Sequence, residues 1–155
     1  MDYTTSSTQL EHICKMLKLP LVGVYSKDTL PDRCYIGSYI INMEDSDVGN
    51  GTHWVLLKIF PTKEVIYFDS FGLSVPPLIK DFVKGKIATS TRQIQHIDAT
   101  TCGYYCIACD DYMTYQKQHR PIYERFDDFL NIFKADTKKN DEVLLDYLHQ
   151  MGVKL

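Results

Sequence analysis

Two short apolar stretches joined by a tight turn constrain the fold of this chain more than any other part of it. Residues 53–60 (HWVLLKIF) and 65–69 (VIYFD) are rich in β-branched and aromatic side chains, and residues 61–64 (PTKE) separate them. This pattern predicts a β-hairpin with a four-residue loop. The fold must therefore contain an antiparallel pair of strands whose neighbouring ends carry His53 and Asp69.

Helical patterns lie on both sides of this hairpin. Residues 8–18 place apolar side chains on one helical stripe, and Pro20 follows directly, as expected where a helix ends. The chain after Cys102 is helical almost to its end, with breaks at Pro121 and at 135–140. The remaining patterns predict strands at 21–25, 35–43 and 92–97, a loop at 44–52 and a helix at 76–84. This order of helix, strands and helices predicts an α+β fold, and the length predicts a single domain over residues 1–155.

The charge and the cysteine content exclude several classes of protein. The net charge of −3 lacks the basic excess of a dedicated nucleic-acid binder, although Lys134, Lys138 and Lys139 form a modest cluster. No apolar run is long enough to cross a membrane, and the chain does not begin with the basic and then apolar pattern of a signal peptide. The five cysteines are an odd number, which favours reduced thiols over a disulfide framework. We expect a soluble, non-secreted monomer with no membrane partner.

Cys102 is the strongest candidate for a nucleophile. It begins a helical run, so its sulfur faces the unpaired N–H groups and the positive end of the helix dipole, which favour a thiolate. His53 and Asp69 lie at neighbouring ends of the predicted hairpin, where a contact between histidine and carboxylate is expected. Taken alone, these two residues are explained equally well as a surface histidine and a turn aspartate. Together with Cys102 they match a nucleophile, a general base and a group that orients the base.

Two glutamines compete for a fourth role. Gln95 lies seven residues before Cys102, and Gln93 alternates onto the same face of the predicted strand. A side-chain amide at either position, together with the backbone N–H of Cys102, can donate hydrogen bonds to an oxyanion. The alternative for either residue is a solvent-facing position on the strand, which is the more common environment of a glutamine. Gln95 is the nearer of the two along the chain and is the predicted donor.

Other chemistries fit the residues less well. Cys102, Cys106 and Cys109 have the C-x3-C-x2-C spacing of an iron–sulfur site, but the residues between them suit a buried helix. Cys106 and Cys109 are therefore predicted to pack as small apolar side chains. No second Cys/His pair stands at the spacing of a zinc site, and no metal is predicted. A serine hydrolase lacks its G-x-S-x-G motif, and a chymotrypsin-like fold would need strands where the chain after Cys102 is helical.

Short motifs along the chain point to a known family. In chain order they are GTHW at 51–54, YFDSFG at 67–72, Gln95 and TCGYYC at 101–106. With this set the chain resembles the adenain-like cysteine proteases, which are the maturation proteases of adenoviruses and of related virophages and Polinton-type elements. The order of histidine, acid, glutamine and cysteine matches that family, as does the seven-residue gap from Gln95 to the cysteine. Weaker similarity extends the match to about residues 20–112.

The resemblance implies a fold and a set of roles. The fold is that of a papain-like cysteine protease of permuted order, with a central helix that starts at the nucleophile and packs on a mainly antiparallel sheet. The resemblance makes Cys102 the nucleophile, His53 the general base and acid, Asp69 the residue that orients His53, and Gln95 the oxyanion donor. Adenovirus members carry Glu at the position of Asp69, and either carboxylate serves the chemistry. No metal or other cofactor is implied.

The resemblance also implies a class of substrate. The expected partners are precursors of viral capsid or scaffold proteins, cut at glycine-containing sites during virion maturation. The expected location is the virion and the infected host cell, in the cytoplasm or a viral factory. Trp54 and Gly103, which follow the base and the nucleophile, are expected to contact this substrate and to admit only small residues. Adenovirus proteases use DNA and a disulfide-linked viral peptide as activators, but the net charge of −3 and the lack of any cysteine between Cys34 and Cys102 argue against both routes here.

Two alternatives remain open. A ubiquitin-like-modifier protease of the SUMO type shares the His-Trp, Asp, Gln and Cys-Gly elements, but such enzymes usually place the glutamine one residue closer to the cysteine and tend to be larger. The second alternative is a catalytically silent interaction module on the same fold. The presence of all four candidate residues argues against this module, because a silent copy has no need to keep them.

Overall fold

A mixed five-stranded sheet organises the part of the chain that the structure describes. The structure, a computed structural model, describes residues 2–44 and 53–155. The strands lie side by side in chain order, with an antiparallel centre formed by the second, third and fourth strands and a parallel strand added at each edge. The strands are β1 (Leu21–Ser26), β2 (Gly37–Asn42), β3 (Trp54–Ile59), β4 (Val65–Phe68) and β5 (Ala88–Thr89).

Helices precede, interrupt and follow the sheet. The first of them begins where Ser6 and Gln9 form a reciprocal capping box, in which each side chain accepts a hydrogen bond from the other residue's backbone N–H. The helices are α1 (Ser7–Met16), α2 (Pro77–Val83), α3 (Cys102–Tyr115), α4 (Ile122–Leu130) and α5 (Asn140–Gln150), with a 3-10 turn at Thr137–Lys139. The predicted α+β fold is therefore confirmed.

The two faces of the sheet carry separate cores because side chains alternate along each strand. On one face, Leu56 and Phe68 pack with α3, α4 and α5 in the larger core. On the other face, Leu57 and Tyr67 pack with Ile79 of α2. Helix α3 is buried along nearly its whole length, which explains its apolar composition and fixes its first residue, Cys102, against the sheet. The central helix that starts at the candidate nucleophile is thus present as predicted.

The predicted strand at 92–97 is wrong, because this segment is irregular and ends in a turn. Its backbone does not form the regular hydrogen bonds of a strand with a neighbouring strand. Instead, the N–H groups of Ile94 and Gln95 both donate to the carbonyl oxygen of Ser70, at 2.9 and 3.0 Å. Ile94 and Gln95 are both buried, whereas a half-buried strand would expose one of two successive residues. Of the predicted loop at 44–52, residues 45–52 lie outside the described residues, as do the first two residues of the GTHW motif.

Candidate active site

His53 and Asp69 meet at one end of the central hairpin. His53 directly precedes β3 and Asp69 directly follows β4, and the antiparallel pairing of these strands brings the two residues together. The Nε2 atom of His53 lies 3.0 Å from Oδ1 of Asp69. Asp69 is only 2 % exposed, and the same oxygen accepts a hydrogen bond of 2.8 Å from the backbone N–H of Phe71, whose ring also stacks against His53. The carboxylate is therefore held rigidly on one edge of the imidazole ring.

A glycine shapes the turn that carries Asp69. The N–H of Gly72 donates to the Asp69 carbonyl oxygen at 2.8 Å, and Gly72 has a φ of +74°, a conformation that favours glycine. A Cβ atom at this position would lie 2.6 Å from the carbonyl oxygen of Thr91. Only glycine allows the turn after the acid and the segment that leads to Gln95 to approach so closely.

Cys102 lies on the other side of His53, at the first position of α3. The side chain is 4 % exposed, and its sulfur accepts a long hydrogen bond of 3.4 Å from the backbone N–H of Trp54, the residue after His53. Because Asp69 occupies Nε2, the ring nitrogen left for the thiol is Nδ1. This atom is buried and makes no hydrogen bond of normal geometry to any described residue, yet the thiol is close enough to affect the titration of the ring.

The charge state of His53 follows from these neighbours. Burial alone would lower the pKa of the ring, but the hydrogen bond to Asp69 and the nearby Cys102 thiol outweigh it and raise the pKa from 6.5 to about 9. His53 is then protonated at neutral pH. In general, the thiolate is the nucleophilic form of a cysteine, and a neighbouring imidazolium is one of the settings that favour it.

Gln95 and Gln93 occupy different environments. Gln95 is 1 % exposed; its Oε1 accepts a hydrogen bond of 2.5 Å from the Ser70 hydroxyl, and its Nε2 donates to the carbonyl oxygen of Ala99 at 2.8 Å. The amide therefore presents its NH2 group toward the segment that leads into Cys102, with one N–H still available as a donor. Gln93 is exposed and its amide donates to the backbone of Gln95. Strand alternation could not separate these two residues, whereas the irregular backbone does.

Ser70, Asn140 and Asp141 hold the site together, and sequence reasoning missed all three. Ser70 fixes the amide of Gln95 as described above. Asn140 donates to the carbonyl oxygen of Ile94 at 2.8 Å, and Asp141 accepts a hydrogen bond of 2.8 Å from the hydroxyl of Thr101. The position of Ser70 directly after the acid was a usable signal, but nothing in the sequence connects the start of α5 with the residues around Cys102.

The two residues predicted to contact substrate both pack against the segment before α1. The indole N–H of Trp54 donates to the carbonyl oxygen of Thr5 at 3.2 Å. A Cβ atom on Gly103 would lie only 2.2 Å from the hydroxyl oxygen of Thr5, so Gly103 permits this close approach. Trp54 also forms part of the wall of a cleft of about 630 Å³, together with residues 4–7 and Asn42. Trp54 lines this cleft, and Gly103 does not.

The other cysteines do not share the environment of Cys102. Cys106 and Cys109 are fully buried in α3, and burial raises the pKa of both thiols well above the usual value. None of the five cysteines, all of which lie within the described ranges, forms a disulfide bond. Within residues 2–44 and 53–155, no group of three or more metal-binding side chains is close enough to hold an ion. In the same ranges, no helix combines the length and the apolar character needed to cross a bilayer.

Comparisons with known proteins give structural neighbours only. No family model matches the chain, and no curated protein matches it. The chain is similar to the central domain of the uncharacterized Lpg1148 protein from Legionella pneumophila, with a TM-score of 0.51 and 11% identity over 98% of this chain and 97% of that one. It is also similar to the ASFV pS273R protease, with a TM-score of 0.38 and 18% identity over 63% of this chain and 44% of that one. The similarity to the Legionella domain shows the fold and says nothing about the activity.

The pKa of His53 provides a first prediction. Replacing Asp69 by Asn removes the strongest of the interactions that raise this pKa, so the NMR titration midpoint of the ring should fall from about 9 toward or below 6.5. A raised pKa in the folded state means that the stabilisation is complete below pH 6.5 and is lost as the pH rises through about 9. Asp146→Asn, at an exposed position on α5, is the matched control and should leave the midpoint unchanged. An unchanged midpoint in the Asp69→Asn variant would contradict the assignment.

The contact between Gly103 and Thr5 provides a second prediction. Gly103→Ala should lower the free energy of unfolding, measured in urea, by about 1–3 kcal/mol, because the new methyl group overlaps the Thr5 side chain. Adding Thr5→Ala removes the overlapping hydroxyl and should recover part of the loss. Gly85→Ala, where the nearest atom to the new methyl group would lie at an ordinary contact distance of 3.9 Å, serves as the control. If Gly103→Ala and Gly85→Ala had the same effect, the close approach would not constrain the site.

Proposed function

We propose that this protein is a cysteine endopeptidase. The single observation that carries the proposal is the position of His53 between two partners: Asp69 holds Nε2 at 3.0 Å, while Cys102, at the start of α3, raises the pKa of the same ring. A nucleophile, a base and a residue that orients the base are the minimal set for covalent catalysis by a thiol. Buried Gln95 adds an amide donor beside the segment that ends at Cys102.

The reaction follows from this arrangement. The Cys102 thiolate attacks the carbonyl carbon of the scissile peptide, and the negative charge moves to the carbonyl oxygen. In this proposal the N–H of Cys102 and the second N–H of the Gln95 amide stabilise that oxygen. His53 then gives its Nδ1 proton to the leaving amine as the C–N bond breaks, which leaves a thioester on Cys102. In the second half, a water molecule attacks the thioester and gives a proton to Nδ1, which returns His53 to its protonated state. The C–S bond then breaks, which releases the acid product and restores the Cys102 thiolate.

The substrate class is part of the proposal and rests on the motif resemblance. Precursors of viral capsid or scaffold proteins with glycine-containing cleavage sites, processed in the virion or the infected cell, are the proposed partners. The cleft beside Trp54 supports a peptide substrate, because its walls are rich in hydroxyl and amide groups, among them Ser6, Ser7 and Asn42. The net charge of −3 supports activity without DNA.

A peptide library tests the proposed activity. We expect cleavage next to glycine, identified by sequencing the fragment ends, and no cleavage by a Cys102→Ala variant. Cys106→Ala is the matched control, because it removes a thiol one helical turn away that burial keeps neutral, and it should retain cleavage. Cleavage of a fluorogenic ubiquitin-like conjugate in preference to every peptide would favour the modifier-protease alternative. If the wild type cleaves neither, and iodoacetamide labels Cys102 no faster than it labels the denatured chain, the fold carries an interaction module.

The oxyanion donor can be tested by three single variants. Gln95→Ala should lower kcat about a hundred- to a thousandfold with little change in KM, since one oxyanion donor is lost. Ser70→Ala frees the amide of Gln95 to rotate, and kcat should fall by a smaller factor. Gln93→Ala, at the exposed position two residues away, is the control, and it should change kcat only slightly. A larger effect at Gln93 than at Gln95 would transfer the role.

A further inference from the structure

A second cavity, of about 380 Å³, lies at the opposite end of α3 from Cys102. Met113 contributes to its wall, and at 1.5 Å per residue it stands about 16 Å along the helix from the nucleophile. The catalytic residues contribute nothing to this wall. The cavity is mainly apolar, and its apolar lining is formed by Pro20, Ile36, Ile59, Phe60, Pro61 and Met113.

A buried guanidinium group forms part of this apolar wall. Arg125 of α4 is only 7 % exposed, and its Nη1 donates to the carbonyl oxygen of Met113 at 2.8 Å, with a longer contact to that of Gln116. Its Nε is buried and has no hydrogen-bond partner among the described residues. No described carboxylate forms an ion pair with Arg125. A buried charge with an unsatisfied donor is costly unless an anion is bound beside it.

Lys58 also lines the cavity, but its charge is already balanced. Its ammonium group lies 2.7 Å from Oδ1 of Asp110 and 3.0 Å from the hydroxyl oxygens of Ser38 and Thr114. These three acceptors match the three donors of an ammonium group. The net positive charge that faces the cavity is therefore that of Arg125.

We infer that this cavity binds a small organic carboxylate with an apolar body. The carboxylate would accept hydrogen bonds from the planar guanidinium group of Arg125, whose shape matches that of a carboxylate. The body would lie against Ile59, Phe60 and Met113. The volume is at the lower end of the range of small-molecule sites, about 300–1,000 Å³. A single guanidinium in an apolar wall suits a monoanion, whereas a phosphate would bring a second charge without a partner.

Binding of 4-phenylbutyrate tests this inference. We expect saturable changes in the NMR amide signals of Ile36, Gly37 and Met113, and at least about tenfold weaker binding of 4-phenylbutyramide, which keeps the body and loses the charge. Acetate, which keeps the charge and loses the body, should not saturate. Equal binding of the carboxylate and the amide, or changes confined to other residues, would overturn the inference.

Variants locate the charge that is responsible. Gln118→Glu places a carboxylate at the exposed rim of the cavity. Because this charge repels the ligand's carboxylate, the variant should bind 4-phenylbutyrate at least about tenfold more weakly. Gln150→Glu adds the same charge at an exposed position outside the cavity and should have no effect. Arg125→Lys keeps the charge but loses the planar edge, and it should also weaken binding. If Arg125→Lys fails to fold, Gln118→Glu decides, and unchanged affinity in that variant would overturn the inference.

Discussion

The enclosure of α3 between the sheet and the other helices is the constraint on which the rest of the structure depends. A helix with apolar residues on nearly every side must be covered on every side, and here β3, α1, α4 and α5 provide that cover. Because the helix cannot shift without opening the core, its first residue is fixed in space. The packing of α3 therefore brings Cys102 to the start of β3, where His53 and Trp54 lie.

The turn after β4 connects two parts of the chemistry. Asp69 orients the imidazole ring, and the next residue, Ser70, fixes both the backbone and the side-chain amide of Gln95. The orientation of His53, the proposed base, and the position of Gln95, the proposed oxyanion donor, are thus set by one dipeptide. In the proposed reaction a change in this turn would alter both contributions together, so the effects of Asp69 and Ser70 on turnover should not be independent.

The sequence predicts those features that local patterns encode. The central hairpin, α1 with its stop before Pro20, and the helix that begins at Cys102 all depend on residues close in the chain, and the structure contains each of them. The segment 92–97 alternates like a strand, but its N–H groups bond to the distant carbonyl oxygen of Ser70, and tertiary contacts override the pattern. The contacts of Trp54 and Gly103 with Thr5 join residues that are 49 and 98 positions apart. No periodicity could have shown them.

The hydrogen bond from Thr101 to Asp141 has a consequence for the timing of folding. Its two residues are separated by 40 positions, and Asn140 holds the carbonyl oxygen of Ile94 from the same place. Contacts between distant residues form late, because the loop between them must close first. While the chain is being synthesised, the segments beside Cys102 and Gln95 stay without their anchor until the start of α5 has left the ribosome. Under the proposed function, Cys102 and Gln95 would therefore lack their final arrangement until residues 140 and 141 are available to hold it.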